Sequence, residues 1–287
     1  MKLWQSLPAF EDLNPIVRLH QHLLKRVIER CVPLEHVAII QDGNRRYARS
    51  RGIATLIGHT LGAKTTDDVA NWCLELEIKH LTVYTFSTEN FGRPEEEKEY
   101  LFDLIERKLL ELCESERVHE NRVRVQAIGR MDLLPLRIQK AAKKVENTTK
   151  KYDNMYFNVA LAYGGQCELV DAAKALATQV KNGNIKPEEV DENLIGQHLY
   201  PSNDHSLPKV DLMIRTGGEI RTSNFLPWQA NGNECAACFC APYWPQFSKI
   251  DFLRALRIAQ TRKALTDRAQ INRLNSVSYT HLRAHET

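Results

Sequence analysis

The chain has 287 residues, of which 43% are hydrophobic and 26% charged, and a formal net charge of +3. This composition is that of a globular protein with a real core, and so small a net charge does not argue for a nucleic-acid partner. No apolar run reaches the roughly eighteen residues of a membrane span, no signal-peptide pattern follows Met1, and seven scattered cysteines favour reduced thiols. These features predict a soluble cytoplasmic protein.

Helical and strand-like patterns alternate along the chain. Residues 14–31 carry an apolar stripe at helical spacing. Strands are predicted at 36–41, 80–86, 122–128, 155–162 and 210–215, and helices at about 58–78, 94–116, 131–151, 166–182 and 188–199. The alternation predicts a single α/β domain with a central, mostly parallel sheet flanked by helices. No stretch has the composition of a domain linker, and no internal repeat is present.

The first predicted strand stops at Asp42, followed by Gly43, Asn44, Arg45 and Arg46. A strand that passes into a helix here leaves free backbone N–H groups and the positive end of the helix at the turn, which together favour an anion. A carboxylate would repel a bare phosphate, but it fits if a divalent cation lies between them. Taken alone, this segment is explained equally well as an ordinary strand-to-helix turn.

Three further strands end in comparable loops. Residues 87–94 read Ser-Thr-Glu-Asn-Phe-Gly-Arg-Pro, residues 163–166 Tyr-Gly-Gly-Gln, and residues 215–225 begin Arg-Thr-Gly-Gly-Glu. Because ligands of parallel sheets bind outside the carboxyl ends of the strands, all four loops are expected to face one site. This convergence favours an anion site over four unrelated turns.

The loop after residue 215 suits a diphosphate. Arg215, Arg221 and Ser223 accompany two glycines, and a guanidinium matches two phosphate oxygens at once. Glu219 would pair with an arginine or meet a metal. The alternative is a surface loop whose arginines form ion pairs.

Other polar residues near these loops allow two readings. Asn90 could orient a reacting phosphate or hydroxyl, and Arg93 could bind an anion. His59 could carry a proton, although a lone histidine is more often structural. The apolar residues of the helix after Pro94 are either core or one wall of a long apolar pocket.

Several motifs are absent or weak. The sequence has neither a nucleoside-triphosphate P-loop nor a dinucleotide fingerprint, and Asp67-Asp68 reads as an exposed helical pair. Cys235, Cys238 and Cys240 lack a second ligand pair at zinc-finger spacing and lie in an apolar context, which argues against zinc.

With these residues in hand, the chain resembles the cis-prenyltransferases, the family of undecaprenyl and dehydrodolichyl diphosphate synthases. The resemblance runs from about His36 to Leu256. Four blocks carry it: H-V-A-I-I-x-D-G-N-R-R-Y-A, F-S-T-E-N-F-x-R-P, N-x-A-x-x-Y-G-G and D-L-x-I-R-T-G-G-E-x-R-x-S-N-F. The D-G-N-R-R-Y form is similar to archaeal members. The resemblance implies an undecaprenyl diphosphate synthase-like fold with an apolar tunnel beside the sheet.

The resemblance also implies a reaction. An allylic diphosphate primer (geranylgeranyl or farnesyl) is extended by isopentenyl diphosphate units with Mg²⁺, which gives a long-chain polyprenyl diphosphate for a glycan-carrier lipid. By position it assigns Asp42 and Glu234 to the metal, and Asp42, Asn90 and His59 to catalysis. It assigns substrate binding to Gly43, Asn44, Arg45, Arg46, Tyr47, Ser87, Glu89, Phe91, Arg93, Arg215, Arg221 and Ser223.

The resemblance further implies a homodimer and a peripheral membrane contact through which the lipid product is released. An alternative is a non-catalytic subunit of a heteromeric enzyme, against which the intact motifs at Asp42 and Arg215 argue. A third option, a phosphate-binding regulatory module, leaves the apolar helix beside the anion loops unexplained.

The predicted organisation is an N-terminal helical segment (1–35), a catalytic domain (36–270) and a C-terminal tail (271–287). From about residue 276 the tail resembles read-through from a sequencing adapter, and we expect it to be non-native. No R-x-G element, with which family members often reach the partner subunit's isopentenyl site, is recognisable.

Overall fold

The computed structural model describes residues 15–201, 206–231 and 235–284, with side chains up to residue 266 in the last helix. Glu35–Phe247 forms one compact unit. A second unit falls within Met1–Leu34 and Ser248–Thr287. The domain boundaries predicted from the sequence, at residues 35 and 270, stay a prediction.

A six-stranded sheet lies at the centre of the first unit. Its strands are β1 His36–Ile40, β2 His80–Ser87, β3 Val123–Ile128, β4 Met155–Tyr163, β5 Leu212–Arg215 and β6 Ala236–Phe239. Their order is β3-β4-β2-β1-β5-β6, and every neighbouring pair is parallel. The predicted α/β fold with a central parallel sheet is therefore confirmed, and five strands lie where the sequence placed them.

Helices connect the strands. They are α1 Pro15–Glu29, α2 Asn44–Arg51, α3 Thr55–Glu75, α4 Glu95–Glu114, α5 Glu116–Glu120, α6 Leu136–Thr149, α7 Gly165–Lys181, α8 Glu192–Gln197 and α9 Lys249–Ala284. The helix expected directly after the first strand is α2. The helix predicted over 188–199 is shorter than expected, because a separate turn of 3₁₀ helix at Pro187–Glu189 precedes it.

Three elements escaped prediction: strand β6, helix α9 and α5, a helix of only five residues. Strand β6 has four residues at the sheet edge, too few for an alternating pattern to show. Helix α9 does carry a signal: Ser248 and Asp251 exchange hydrogen bonds in the manner of a capping box, and Phe252, Leu256 and Ala259 follow at helical spacing. The helix runs on past residue 276, where the sequence suggested a non-native tail.

The order of the strands places the predicted loops together. Strands β4, β2, β1 and β5 are consecutive in the sheet and parallel, so their carboxyl ends lie side by side at one edge. All five residues of β1 are buried, and the polar residues of the first loop begin directly after its carboxyl end. The prediction that the four loops share one edge of the sheet is confirmed.

Helices α1 and α9 pack on each other in the second unit. The side-chain nitrogen of Gln260 donates to the carbonyls of Ile28 and Val32, at 3.0 and 3.1 Å. These bonds tie the end of α1 to the middle of α9. Among the described residues, no helix is both long and apolar enough to cross a membrane.

Candidate functional site

Asp42 lies where β1 ends, between two arginines from different loops. Its Oδ1 accepts a hydrogen bond from Arg46 at 2.9 Å and its Oδ2 one from Arg215 at 2.7 Å. The Thr216 hydroxyl donates to the carbonyl of Asp42 at 2.7 Å. The first and last of the four loops are therefore joined through one carboxylate.

Burial and the arginines act on this carboxylate in opposite directions. Burial would raise the pKa of Asp42, but the hydrogen bonds from Arg215 and Arg46 outweigh it and hold the pKa below its ordinary value. Asp42 is consequently ionised at neutral pH, as a metal ligand must be.

Two glycines allow these loops to approach each other closely. Gly43 has a φ of 112°, and a Cβ there would lie 2.8 Å from Cδ1 of Tyr243. Gly217 has a φ of 83°, and a Cβ there would lie 2.7 Å from Nη2 of Arg46. A larger residue at either position would meet both strain and a clash, so Gly43 lets Tyr243 pack against the turn after β1 and Gly217 lets the loop after β5 approach Asp42 and Arg46.

The loop after β5 wraps around the guanidinium of Arg215, which is only 4% exposed. Its Nη1 donates to the carbonyl of Arg221 and to Oγ of Ser223, at 2.7 and 2.5 Å. Its Nε is buried without a hydrogen-bond partner. Arg221 itself is different: its side chain is 65% exposed and pairs with Glu219 at 2.9 Å.

A second charged cluster centres on Glu97, at the start of α4. Its Oε1 lies 3.1 Å from Nε2 of His59 and 3.1 Å from Nη1 of Arg93. Arg45 approaches its other oxygen at 3.7 Å. Glu97 thus joins the first turns of α2 and α3 to the loop after β2.

The histidine of this cluster is buried, with 5% of its surface exposed. Burial lowers the pKa of His59, the hydrogen bond to Glu97 raises it, and the charge of Arg93 lowers it, with a net decrease. The imidazole is therefore neutral at physiological pH.

The loop after β2 is held by its own side chains. Ser87 and Asn90 form a capping box in which Oδ1 of Asn90 accepts from the backbone N–H of Ser87 at 3.1 Å. Phe91 packs edge-on against Phe86, with ring centroids 5.1 Å apart. The turn therefore presents Asn90 and Arg93 from a rigid base.

A cavity of about 290 Å³ opens between these clusters and runs along the sheet. At its polar end lie predicted site residues from three of the four loops and from α3: Asp42, Asn44, His59, Ser87, Asn90, Arg93, Arg215 and Ser223. The fourth loop, residues 163–166, contributes no residue to the lining, so the expectation that all four loops face one site is wrong for this loop. Along its length α4 contributes apolar side chains: Leu101, Leu104, Ile105, Leu109 and Leu112. The apolar residues after Pro94 thus line a pocket as well as the core.

Other predicted site residues lie outside this lining. Gly43, Arg45 and Arg46 adjoin it through the contacts described above. Tyr47 lies beneath the guanidinium of Arg51, Glu89 is exposed, and Phe91 packs in the aromatic cluster. Glu234 lies outside the described residues.

Sequence reasoning missed two residues of the polar end. Glu97 is one of three acids that open α4, and its spacing of four from Arg93 is a signal for an ion pair. Trp244 lines the cavity and donates from Nε1 to the carbonyl of Gly62 at 2.8 Å. Nothing in the local sequence predicts that long-range contact.

None of the seven cysteines, all of which lie in the described part of the chain, forms a disulfide bond. Within the part of the chain that the structure describes, no group of three or more His, Cys, Asp or Glu side chains could hold a metal ion, and the Cys235, Cys238 and Cys240 group forms no such site.

Comparison with known proteins agrees with this geometry. Residues 40–266 match the family model described as "Putative undecaprenyl diphosphate synthase". The chain belongs to the undecaprenyl diphosphate synthase family. Members of this family are prenyltransferases, and the chain is one of them.

Archaeal relatives are similar over most of their length. The tritrans,polycis-undecaprenyl-diphosphate synthase (geranylgeranyl-diphosphate specific) of Methanosarcina mazei is 46% identical over 260 residues, 91% of this chain and 87% of the relative. The Haloarcula marismortui enzyme of the same name is 51% identical over 231 residues, 80% of this chain and 74% of the relative.

Two solved structures share the fold. Lavandulyl diphosphate synthase from Lavandula x intermedia, in complex with dimethylallyl diphosphate, has a TM-score of 0.72 and 34% identity over 79% of this chain and 95% of its own. A probable undecaprenyl diphosphate synthase from Campylobacter jejuni has a TM-score of 0.64 and 31% identity, over 80% of this chain and 96% of its own.

Proposed function

We propose that the protein extends an allylic diphosphate with isopentenyl diphosphate units and releases a long-chain polyprenyl diphosphate. The observation that carries this proposal is the junction of two opposite chemistries in one cavity. Anion-binding loops surround one end, and leucine and isoleucine side chains line the rest. A diphosphate with a growing hydrocarbon chain has the same division. Geranylgeranyl diphosphate is the proposed primer, because the curated relatives are specific for it.

Two sets of cations drawn from these clusters would hold two diphosphates. The first turn of α2, with Arg45, Arg46 and Arg93, would take the primer, because its N–H groups and the cations favour an anion. Arg215 and Ser223, with Arg221 at the rim, would take isopentenyl diphosphate. The buried Nε of Arg215 is a donor that a phosphate oxygen would satisfy.

Magnesium fits the donors at the polar end. Mg²⁺ is held in proteins by one or two carboxylates together with substrate phosphates, and Asp42 is an ionised carboxylate facing the cavity. Asp42 would hold the ion, with Glu234 as the second carboxylate proposed from the family motif. Bound there, Mg²⁺ would neutralise charge on the departing diphosphate.

Chain elongation breaks one bond and forms another. The carbon–oxygen bond of the allylic diphosphate breaks, a carbon–carbon bond forms to the terminal alkene carbon of isopentenyl diphosphate, and that unit loses a proton. Charge develops on the leaving diphosphate, where Arg93, Arg46 and the helix N-terminus stabilise it. Asn90 and His59 would orient the reacting groups, since both are held by hydrogen bonds and both line the cavity.

One assay tests the proposal: purified protein, Mg²⁺, labelled isopentenyl diphosphate and a panel of allylic primers. We expect elongated polyprenyl diphosphate, with geranylgeranyl diphosphate as the preferred primer. Elongation only after a second family member is added would instead support the non-catalytic-subunit alternative, which no observed feature favours.

Three further properties of this protein are proposed together with the activity. They are a homodimer, a cytoplasmic location with peripheral membrane contact for product release, and a product that serves as a glycan carrier. Sedimentation analysis of the purified protein tests the first, since a monomer at micromolar concentration would contradict it.

A further inference from the structure

Two charged side chains interrupt the apolar length of the cavity. Asp67 on α3 and Lys108 on α4 both line it, and Nζ of Lys108 donates to Oδ2 of Asp67 at 2.9 Å. The sequence suggested that Asp67 and Asp68 form an exposed pair, but the two differ: Asp68 bonds to Lys64 on its own helix, whereas Asp67 reaches across to α4. The ion pair therefore links the two helices that contribute to the cavity wall.

The pair lies far from the diphosphate end. Asp67 is eight residues beyond His59 on α3, which corresponds to about 12 Å along the helix axis. Lys108 is seven residues beyond Leu101 on α4, about 10 Å. A hydrocarbon chain that starts at the polar end and follows both helices meets the pair near the far end of the apolar wall.

The ion pair has apolar neighbours, so Asp67 relies on Lys108 for the interactions that water no longer provides. Apolar residues of the cavity lining, among them Ile105 and Leu109, flank the pair on α4. Burial raises the pKa of Asp67 even though Lys108 opposes the change, so the carboxylate has lost part of its hydration. Lys108 has a second partner in Glu111 at 2.9 Å, whereas no second cation is hydrogen-bonded to Asp67 in the described part of the chain.

We propose that the Asp67–Lys108 ion pair limits the length of the prenyl chain that the cavity accepts, and so the length of the product. This inference rests on the proposed function. A tail that reaches the pair must either stop or separate two charges beside hydrocarbon. The side chains of Lys108 and Asp67 are 34% and 38% exposed, so the pair is only partly desolvated and its separation adds a modest cost to each longer chain. Chains that would pass the pair are therefore disfavoured against release.

The test separates charge from volume. The double variant Asp67→Asn with Lys108→Met keeps both side chains close to their original size and removes both charges. We expect its product distribution to peak at least one isoprenoid unit longer than that of the wild type. The matched control is Lys64→Met with Asp68→Asn, which removes an ion pair of 3.1 Å from the same helix at residues that do not line the cavity. Its products should match those of the wild type.

A binding measurement accompanies the product analysis. The melting temperature is followed with saturated alkyl diphosphates of increasing chain length. In the wild type the stabilisation should stop increasing at the length that reaches the pair, and in the neutral variant it should continue to longer chains. Circular dichroism verifies folding; if the double variant does not fold, Asp67→Asn alone, which leaves Lys108 its partner Glu111, takes its place in both measurements.

The outcomes separate the two proposals. If the wild type elongates primers but the neutral variant gives the same product lengths, the role of the ion pair is overturned while the activity stands. If the wild type elongates nothing, the proposed function fails, and the alkyl diphosphate series alone decides: a plateau at the same chain length in both proteins rejects the inference. Longer products from the Lys64 and Asp68 control would also reject it.

Discussion

Two buried histidines lie near opposite ends of the parallel sheet, and their surroundings differ in kind. His36 begins β1 and is fully buried; its ring nitrogens bond to the carbonyl of Pro208 at 2.9 Å and to the hydroxyl of Thr82 at 2.8 Å. His59 lies beside the loops at the carboxyl end, bonds to Glu97 and faces the cavity. The ring of His36 bonds only to neutral groups, with the Asp211 carboxylate on its backbone N–H, whereas the ring of His59 bonds to a carboxylate within a cluster of charged side chains.

This contrast shows which property distinguishes a functional end from a structural one. Burial does not, because burial lowers the pKa of both histidines. Unsatisfied buried atoms do not either, since Nδ1 of His80 at the amino end lacks a partner as Oδ1 of Asn44 does at the carboxyl end. The difference is that paired charges surround a cavity at the carboxyl end. A charged substrate that enters this cavity can replace those pairs with contacts to itself.

The largest expected effect is at the carboxyl end. Asp42→Ala removes the proposed magnesium ligand, and we expect kcat to fall at least about 100-fold, as when one transition-state stabiliser is lost. Labelled isopentenyl incorporation measures it, with circular dichroism to verify the fold. The matched carboxylate at the amino end is Asp211, which accepts from the backbone N–H groups of Glu35 and His36. Asp211→Ala should lower the melting temperature and leave kcat within a few-fold of the wild-type value. Equal losses of kcat in both variants would contradict the distinction between a functional and a structural end.

At the amino end we expect an effect on stability instead. Burial lowers the pKa of His36 to about 4, whereas the unfolded chain keeps about 6.5. Below pH 6.5 the unfolded state binds a proton that the native state does not, so stability present at neutral pH is lost as pH falls towards 4. Because of His36, the free energy of unfolding falls by about 3 kcal/mol as the pH is lowered through this window.

Urea unfolding of the wild type and of His36→Gln at pH 7, 5.5 and 4 measures this contribution. The variant should be less stable at pH 7 and should lose correspondingly less stability on acidification. Parallel curves for the two proteins would show that His36 is not the group responsible.

Within the carboxyl end, buried and exposed arginines should differ. Arg215→Ala removes charge-assisted bonds worth about 1.5–3 kcal/mol, so the KM for isopentenyl diphosphate should rise roughly 10- to 100-fold. Arg221→Ala removes an exposed side chain of the same loop, and such pairs contribute about 1 kcal/mol or less. Steady-state kinetics with each substrate varied in turn test this order. A larger change for the primer than for isopentenyl diphosphate would contradict the assignment of Arg215.

The smallest expected effect concerns the charges around His59. Because the hydrogen bond to Glu97 raises the pKa of His59, Glu97→Gln should lower that pKa further. NMR titration of the imidazole measures it, with the His36 signals as an internal reference that should not move. An upward shift would show that Glu97 does not raise the pKa of this histidine.

Much of the fold could be predicted because its strands and helices have local patterns of apolar residues. Strands such as β1 and β4 are apolar runs of strand length, and the helices between them carry an apolar face, so element types and the parallel sheet follow from patterns of a few residues. Strand β6 could not be predicted, since a four-residue edge strand is stabilised by pairing with β5 and not by its own sequence.

For the site, sequence alone identified the loops, because Asp42, Asn90 and Arg93 follow predicted strands, Arg215 ends one, and parallel strands end at one edge. Only the tertiary structure decided which of these side chains meet. It brought Arg215 to Asp42 from 173 positions away and placed Glu97 between His59 and Arg93. It also turned Asp67 towards Lys108 while Asp68 kept a partner on its own helix. The physical reason is that residue type and local periodicity determine strands, helices and turns, whereas long-range ion pairs depend on how those elements pack.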